Sequence, residues 1–437
     1  MSAPAPPVRH LGLTDAAAIY AGIILGSGIF VAPGAVAGLG VSIPAAVALW
    51  IAGAVVAACG ASCYAECAAR LPANGGFFVF NREAYGPAVA FVGGWAAIFV
   101  TYPASVAAIA LVFARHLGEA VGFAGWERTS AAGALALAGV LNVAGLRTGP
   151  RAQTLLTACK LGILAVLGVA ALAAGPHAAA GPAAPPPAAG TIAWLPAVMI
   201  LLWTYDGWSD VTLISGEVRE PGRNIGRAVL LGTAALAAVY ALTQVAVMVT
   251  LPAERLALST RPVADAVEAI WGPAAGRAVA WAVVVSTFGA ILGVVLTVSR
   301  LGFAMARDGA FIRTLATLHP RWGTPARATA ALTVTAILYV TRGSFRDILT
   351  YFTFSVWIFY GLIAVALLIL RRRGVGEPAP WRAPLGVVPP LVVLAVGSCM
   401  TVNLVVQKPL HALAGAAILA CGYPAYVLIS RSAARAR

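Results

Sequence analysis

Apolar runs long enough to cross a bilayer as helices, each closed by charge, proline or glycine, divide this chain from end to end. They fall at about 14–38, 43–69, 86–114, 130–146, 151–174, 193–216, 224–251, 276–305, 325–341, 348–370, 384–406 and 410–430. A hydrocarbon core about 30 Å thick takes about 20 apolar residues as helix, so the reading is an all-α membrane protein with twelve transmembrane helices. Composition agrees. Of 437 residues 61% are hydrophobic and 10% charged, against roughly 25% charged in a soluble domain, and a chain this apolar is not disordered.

The formal charge of +14 does not point to nucleic acid, because the arginines punctuate apolar runs instead of forming a stripe on a soluble module. With the N-terminus in the cytoplasm, twenty basic residues fall on that side and eight on the other, and Lys160 inside a span completes the 29. The positive-inside rule then puts both termini in the cytoplasm, and the expected location is the plasma (inner) membrane. Residues 1–13 read as a retained cytoplasmic tail without a signal peptide, 14–174 as helices 1–5, and 175–192 as an extracytoplasmic Pro/Ala linker. Residues 193–373 follow as helices 6–10, 384–430 as helices 11–12 and 431–437 as a cytoplasmic tail. The stretch 252–271 reads as short interfacial helices. Cys59, Cys63, Cys67, Cys159, Cys399 and Cys421 all lie in apolar runs and define no disulfide framework or metal site; the i, i+4 stripe 59–63–67 reads as close helix packing.

Two runs are not written as plain helices. In the first, Gly26-Ser27-Gly28 interrupts GIILGSGIFVAPG. Either the glycines let two helices pack closely, with Gly22 and Gly26 as a GxxxG pair, or the helix breaks and its freed N–H groups suit an anion. The sixth run holds Trp203-Thr204-Tyr205-Asp206-Gly207-Trp208 and continues through Asp210, and a carboxylate at that depth belongs in a cavity or beside unwound backbone. Interrupted helices opening each block of five spans are the pattern of an inverted-repeat transporter with a midplane site.

The strings GIILGSGIFVAPG, LPANGGFFVFNREAYGPAVAFVGGW, WTYDGWSDVTLISGEVREPGRNIGRA and STFGAILGVVLTVSRLGFAMARDG resemble successive signatures of the amino acid-polyamine-organocation superfamily, in its L-amino acid transporter branch. The resemblance implies a five-plus-five inverted repeat with helices 1 and 6 broken. It implies that the amides of Gly26, Ser27 and Gly28 receive a substrate α-carboxylate, and that carbonyls near Ile23, Ile24, Trp203, Thr204 and Asp206 accept its α-ammonium. Trp203 stands where relatives carry an aromatic gate, commonly Phe. Tyr205 is a second aromatic in the strip, with core packing as its other reading. The resemblance also sets Lys160 where sodium-coupled relatives of the fold hold a cation, with Ser286, Thr287 and Tyr240 as its neighbours; snorkelling toward the interface is the alternative for that lysine. Transport is then sodium-independent.

Glu217, Arg219, Glu220, Arg223, Asn224 and Arg227 read either as a solvated, capped loop or as a gate of ion pairs, and Glu66 with Arg70 as a helix-end pair. The five histidines make no metal-ligand pair on one helix, and no phosphate-cradling GKS or GKT string is present, so neither catalytic residues nor a metal or cofactor are expected. The expected function is alternating-access transport of small neutral L-amino acids, as exchanger or proton-coupled carrier. Cationic amino acids or polyamines are the alternative substrates, and a sensor without transport is the alternative class. Animal members of the resembling family attach a heavy chain through a cysteine between spans three and four. Residues 115–129 here contain none, which predicts no disulfide-linked partner and a monomer or noncovalent homo-oligomer.

Overall fold

The computed structural model describes residues 9, 11–73, 75–123, 125–145, 150–173, 191–309, 311–343, 345–407 and 409–435. The Pro/Ala linker at 175–190 and most of the N-terminal tail lie outside the described residues. Among them the chain is helical, with no strand; an isolated bridge pairs Leu11 with Val218.

The first half runs α1 (Leu13–Ile24), a 3-10 turn (Gly28–Phe30), α2 (Ala32–Ala37), α3 (Ile43–Arg70), α4 (Phe77–Tyr85), α5 (Pro87–Ala96), a π segment (Ala97–Thr101), α6 (Tyr102–Val121), α7 (Glu127–Val143) and α8 (Pro150–Ala173). The second runs α9 (Thr191–Thr204), a 3-10 segment (Asp210–Glu217), α10 (Pro221–Thr250), α11 (Ala253–Leu258), α12 (Pro262–Trp271), α13 (Pro273–Arg307), α14 (Ala326–Arg342), α15 (Phe345–Arg372), α16 (Val388–Gln407) and α17 (Pro409–Arg435). Pro87, Pro221, Pro262 and Pro273 open their helices, where a missing N–H costs nothing. Gly122 at φ +72 closes α6 in the left-handed conformation, as a helix C-terminus favours.

Among the described residues six helical stretches are long and apolar enough to cross a bilayer: Ile43–Arg70, Pro87–Val121, Pro221–Thr250, Pro273–Arg307, Ser355–Arg372 and Val388–Gln407. Val140, Val166, Leu338 and Val402, on α7, α8, α14 and α16, are more than half exposed. An aqueous surface would pay for such apolar exposure, whereas lipid tails cover it without loss.

Three features differ from the run-by-run reading. The third run reaches Val121, with a π segment absorbed within the one helix. The stretch before it carries α4, whose nine residues mix Asn, Arg and Glu with aromatics and so make no apolar run. Glu66 and Arg70 are more than a helix-end pair. Both side chains are buried, and Glu66 also accepts hydrogen bonds from Arg371 of α15 at 2.9 and 2.5 Å and from the Ala383 amide at 2.8 Å. Arg70 in turn reaches Glu377 at 2.7 Å and the Val375 carbonyl at 2.8 Å. The segment between α15 and α16 is thus strapped to α3, and its Trp381 ring lies over Gly226 of α10.

Candidate functional site

The hydrogen-bond ladder of α1 ends where the Leu25 amide donates to Ala21 at 2.8 Å; Gly26 then turns back onto the Ile24 carbonyl at 2.7 Å. Helix resumes as a 3-10 turn at Gly28. In the second half α9 stops at Thr204, the Asp206 amide donates to the Trp203 carbonyl at 3.0 Å, and Gly207 takes φ +107, a torsion that glycine adopts readily and other residues do not. Both interrupted runs are therefore broken helices. The two breaks touch: a Cβ at Gly28 would lie 2.7 Å from the Thr204 Cα.

A cavity of about 60 Å³ sits beside this contact, room for a few water-sized groups. Ile23, Ile24, Gly26, Ser27, Gly28, Trp203, Thr204 and Asp206 line it. The Ser27 hydroxyl is buried there with no hydrogen-bond partner among the described residues, which leaves a donor for a ligand. The Ile24 carbonyl is already engaged, by Gly26 and by the Tyr240 hydroxyl at 3.2 Å, and Tyr240 lies 3.4 Å from the Thr204 carbonyl. Tyr240 thus stands against both breaks at once. Tyr205 is turned away from the cavity. Its hydroxyl donates to the Trp50 carbonyl at 3.1 Å and its ring packs on Trp50 and Tyr240, the packing alternative for that residue.

Lys160 is buried, with Nζ 3.5 Å from the Gly22 carbonyl in the last turn of α1. Three residues further along α1, the Leu25 carbonyl accepts the Ser286 hydroxyl at 3.3 Å. The structure thus brings Lys160 and Ser286 to the same helix end, each on its own carbonyl. Thr287 bonds back to Val283 and Val284 of α13. Of the charged cluster after the second break, Glu217 pairs with Arg300 of α13 at 2.9 Å, while Glu220 and Arg223 meet at 3.8 Å on an exposed face.

Residues outside the sequence-derived set complete the site. Tyr360 of α15 donates to Asp206 at 2.5 Å, and Tyr102 of α6 donates to Asp210 at 2.9 Å; all four line the cavity. Asp210 had a signal, four residues after Asp206. Tyr102 and Tyr360 had none, since each is one aromatic among many in its run. A wider recess of about 900 Å³ lies beyond, lined among others by Arg9, Arg82, Glu217, Arg300 and Asp308, where Arg82 and Asp308 form an ion pair.

Two broken helices meeting on a cavity inside an apolar helical bundle define a membrane transporter. The profile of the amino acid permease family matches residues 11–426; the chain belongs to that family and is a multi-pass, non-enzymatic permease. It is 30% identical over 92% of its length to the human b(0,+)-type amino acid transporter 1, of which 83% is covered. It is 29% identical over 96% of its length to the rabbit (Oryctolagus cuniculus) large neutral amino acids transporter small subunit 2, covering 80% of it. An uncharacterized transporter of Mycobacterium tuberculosis is 34% identical over 96% of this chain and 90% of its own.

Proposed function

We propose that this permease moves small neutral L-amino acids across the plasma membrane by alternating access, without sodium, as an exchanger or proton-coupled carrier. The observation that carries the reading is the cavity at the contact of two helix breaks, with the Ser27 hydroxyl unpartnered inside it among the described residues. Broken α1 offers amides to a carboxylate and broken α9 offers backbone oxygen to an ammonium, the two groups common to every amino acid. Relatives named as amino acid transporters support this.

Twelve spans arranged as a five-plus-five inverted repeat, residues 14–174 and 193–373, with both termini cytoplasmic, fit the paired breaks and the distribution of arginine. On that topology the 900 Å³ recess faces the cytoplasm and α11 and α12 close the opposite side, where a Cβ at Gly34 of α2 would come 2.9 Å from the Leu256 carbonyl. The arrangement fits a carrier closed to the outside. Asp206 in the cavity favours a second reading, in which cationic amino acids or polyamines are also taken.

Uptake of a radiolabelled amino acid panel into proteoliposomes is the test. Accumulation or exchange of alanine-sized neutral substrates is the expected result, and binding without flux would make the protein a sensor. No disulfide-linked heavy chain is proposed, because residues 115–129 lack cysteine. A single band on non-reducing gels of native membranes is expected, and a reductant-sensitive heterodimer would defeat this.

A further inference from the structure

A polar side chain is sealed in the wall between the cavity and the wider recess. That wall is α4: Phe77 lines the cavity, while Phe78, Val79 and Arg82 line the recess. Asn81 follows Phe77 by four residues, which sets both on one face of the helix. It is 0% exposed, and neither the oxygen nor the nitrogen of its amide has a hydrogen-bond partner among the described residues. An amide group can donate twice and accept twice, so enclosing it unbonded is costly, and a leucine of similar shape would carry no such cost.

Its position gives the amide a use. A Cβ at Gly93 of α5 would meet the Asn81 Nδ2 and a Phe359 ring carbon, each at 3.5 Å, and Gly93 and Phe359 both line the cavity. Asn81 therefore stands behind a lining residue that has no side chain to cover it. The turn that opens α4 is also tied to the second helix break. The Gly75 amide donates to the Leu213 carbonyl at 3.2 Å, and the Ser215 hydroxyl donates to the Ala73 carbonyl at 2.8 Å; Leu213 and Ser215 belong to the 3-10 segment after Asp206.

We infer that Asn81 lies on the release path: when α4 parts from α5, its amide is the polar group that an amino acid meets on that wall between the cavity and the recess. An amide suits the task. Its oxygen accepts from the ammonium and its nitrogen donates to the carboxylate, and being neutral it holds neither strongly. Movement of the 3-10 segment draws on α4 through the Leu213 and Ser215 bonds, and the partners that Asn81 gains on opening offset the cost it carries while closed. The inference rests on the amino acid transport reading and adds a residue to its path.

The experiment compares L-alanine exchange in proteoliposomes and L-alanine binding to the purified protein for the unmodified chain, Asn81→Leu, Gly93→Ala and the double variant. Gly93→Ala meets its neighbours at ordinary contact distance and puts a methyl group over the amide. Asn81→Leu is expected to bind alanine within about twofold of the unmodified protein but to exchange it about three- to tenfold more slowly, the scale of one neutral hydrogen bond. The double variant is expected to exchange no more slowly than the slower single one, because both changes remove the same contact. An Asn81→Leu protein that exchanges at the unmodified rate or loses binding in step with exchange, or losses that multiply in the double variant, would overturn the inference. Should Asn81→Leu not give monodisperse protein, Asn81→Ser and Asn81→Ala take its place, alike in size and differing by one hydroxyl; faster exchange by the serine variant is expected, and equal rates overturn the inference. The unmodified protein separates the two claims. If it exchanges alanine and Asn81→Leu does so equally, transport stands and the release-path residue falls; if it exchanges no amino acid, both fall.

Discussion

Gly28→Leu is expected to abolish substrate binding and transport. The reason is distance rather than backbone torsion, since Gly28 is not among the glycines with positive φ. A Cβ there would stand 2.6 Å from the Thr204 Oγ1, 2.7 Å from its Cα and 2.8 Å from its Cβ, and a backbone atom cannot rotate out of the way. Even alanine would push the two breaks apart, at an overpacking cost of about 1–3 kcal/mol, and leucine would also fill the cavity. Gly26 is different. Its Cβ would meet nothing nearer than 3.7 Å, so Gly26→Ala is expected to fold and to lose less. Ligand-induced thermal shifts of the purified, monodisperse variants decide the matter: a Gly28→Leu protein that still responds to alanine would remove Gly28 from the binding site.

Lys160→Ala is expected to lose most transport while remaining folded, and uptake by the unmodified protein is expected to be the same when choline replaces sodium. Lys160 approaches Gly22 and Ser286 holds Leu25, so an ammonium and a hydroxyl both grip the end of α1 just before it breaks. We propose that this grip couples closure of the broken helix to substrate binding, the Lys160 ammonium standing where the family resemblance implies a cation in sodium-coupled relatives. At 3.5 Å the Lys160 contact is long for a hydrogen bond, so the low end of the about 1.5–3 kcal/mol of a bond to a charged group applies and its loss predicts a fall of about tenfold. Ser286→Ala, which removes a neutral donor, is expected to cost less. Sodium-dependent uptake, or a Lys160→Ala protein that transports normally, would end this account.

The sequence by itself determined the membrane class, the approximate positions of the long helices and the two places where helices break. Each follows from local chemistry. A run of apolar residues has one low-energy form in lipid, because its backbone groups must bond within the segment. Gly-Ser-Gly and Asp-Gly at depth mark where that form cannot be uniform. Family membership was legible too, because the signatures are long and occur in order.

Which side chains face the cavity was decided only by the tertiary structure. Tyr205 and Asp206 are neighbours in one strip, yet one packs on Trp50 and the other opens on the cavity. Asp210 lies inside while Thr287 bonds back to its own helix. In a run apolar on every face, periodicity carries no sign of which side meets protein and which meets lipid. The partners also come from far along the chain: Tyr360 lies 154 residues from Asp206, and Arg371 lies 305 residues from Glu66. A buried carboxylate announces that it needs a partner, but which hydroxyl or guanidinium meets it depends on how the helices pack, and that is a property of the assembled bundle alone.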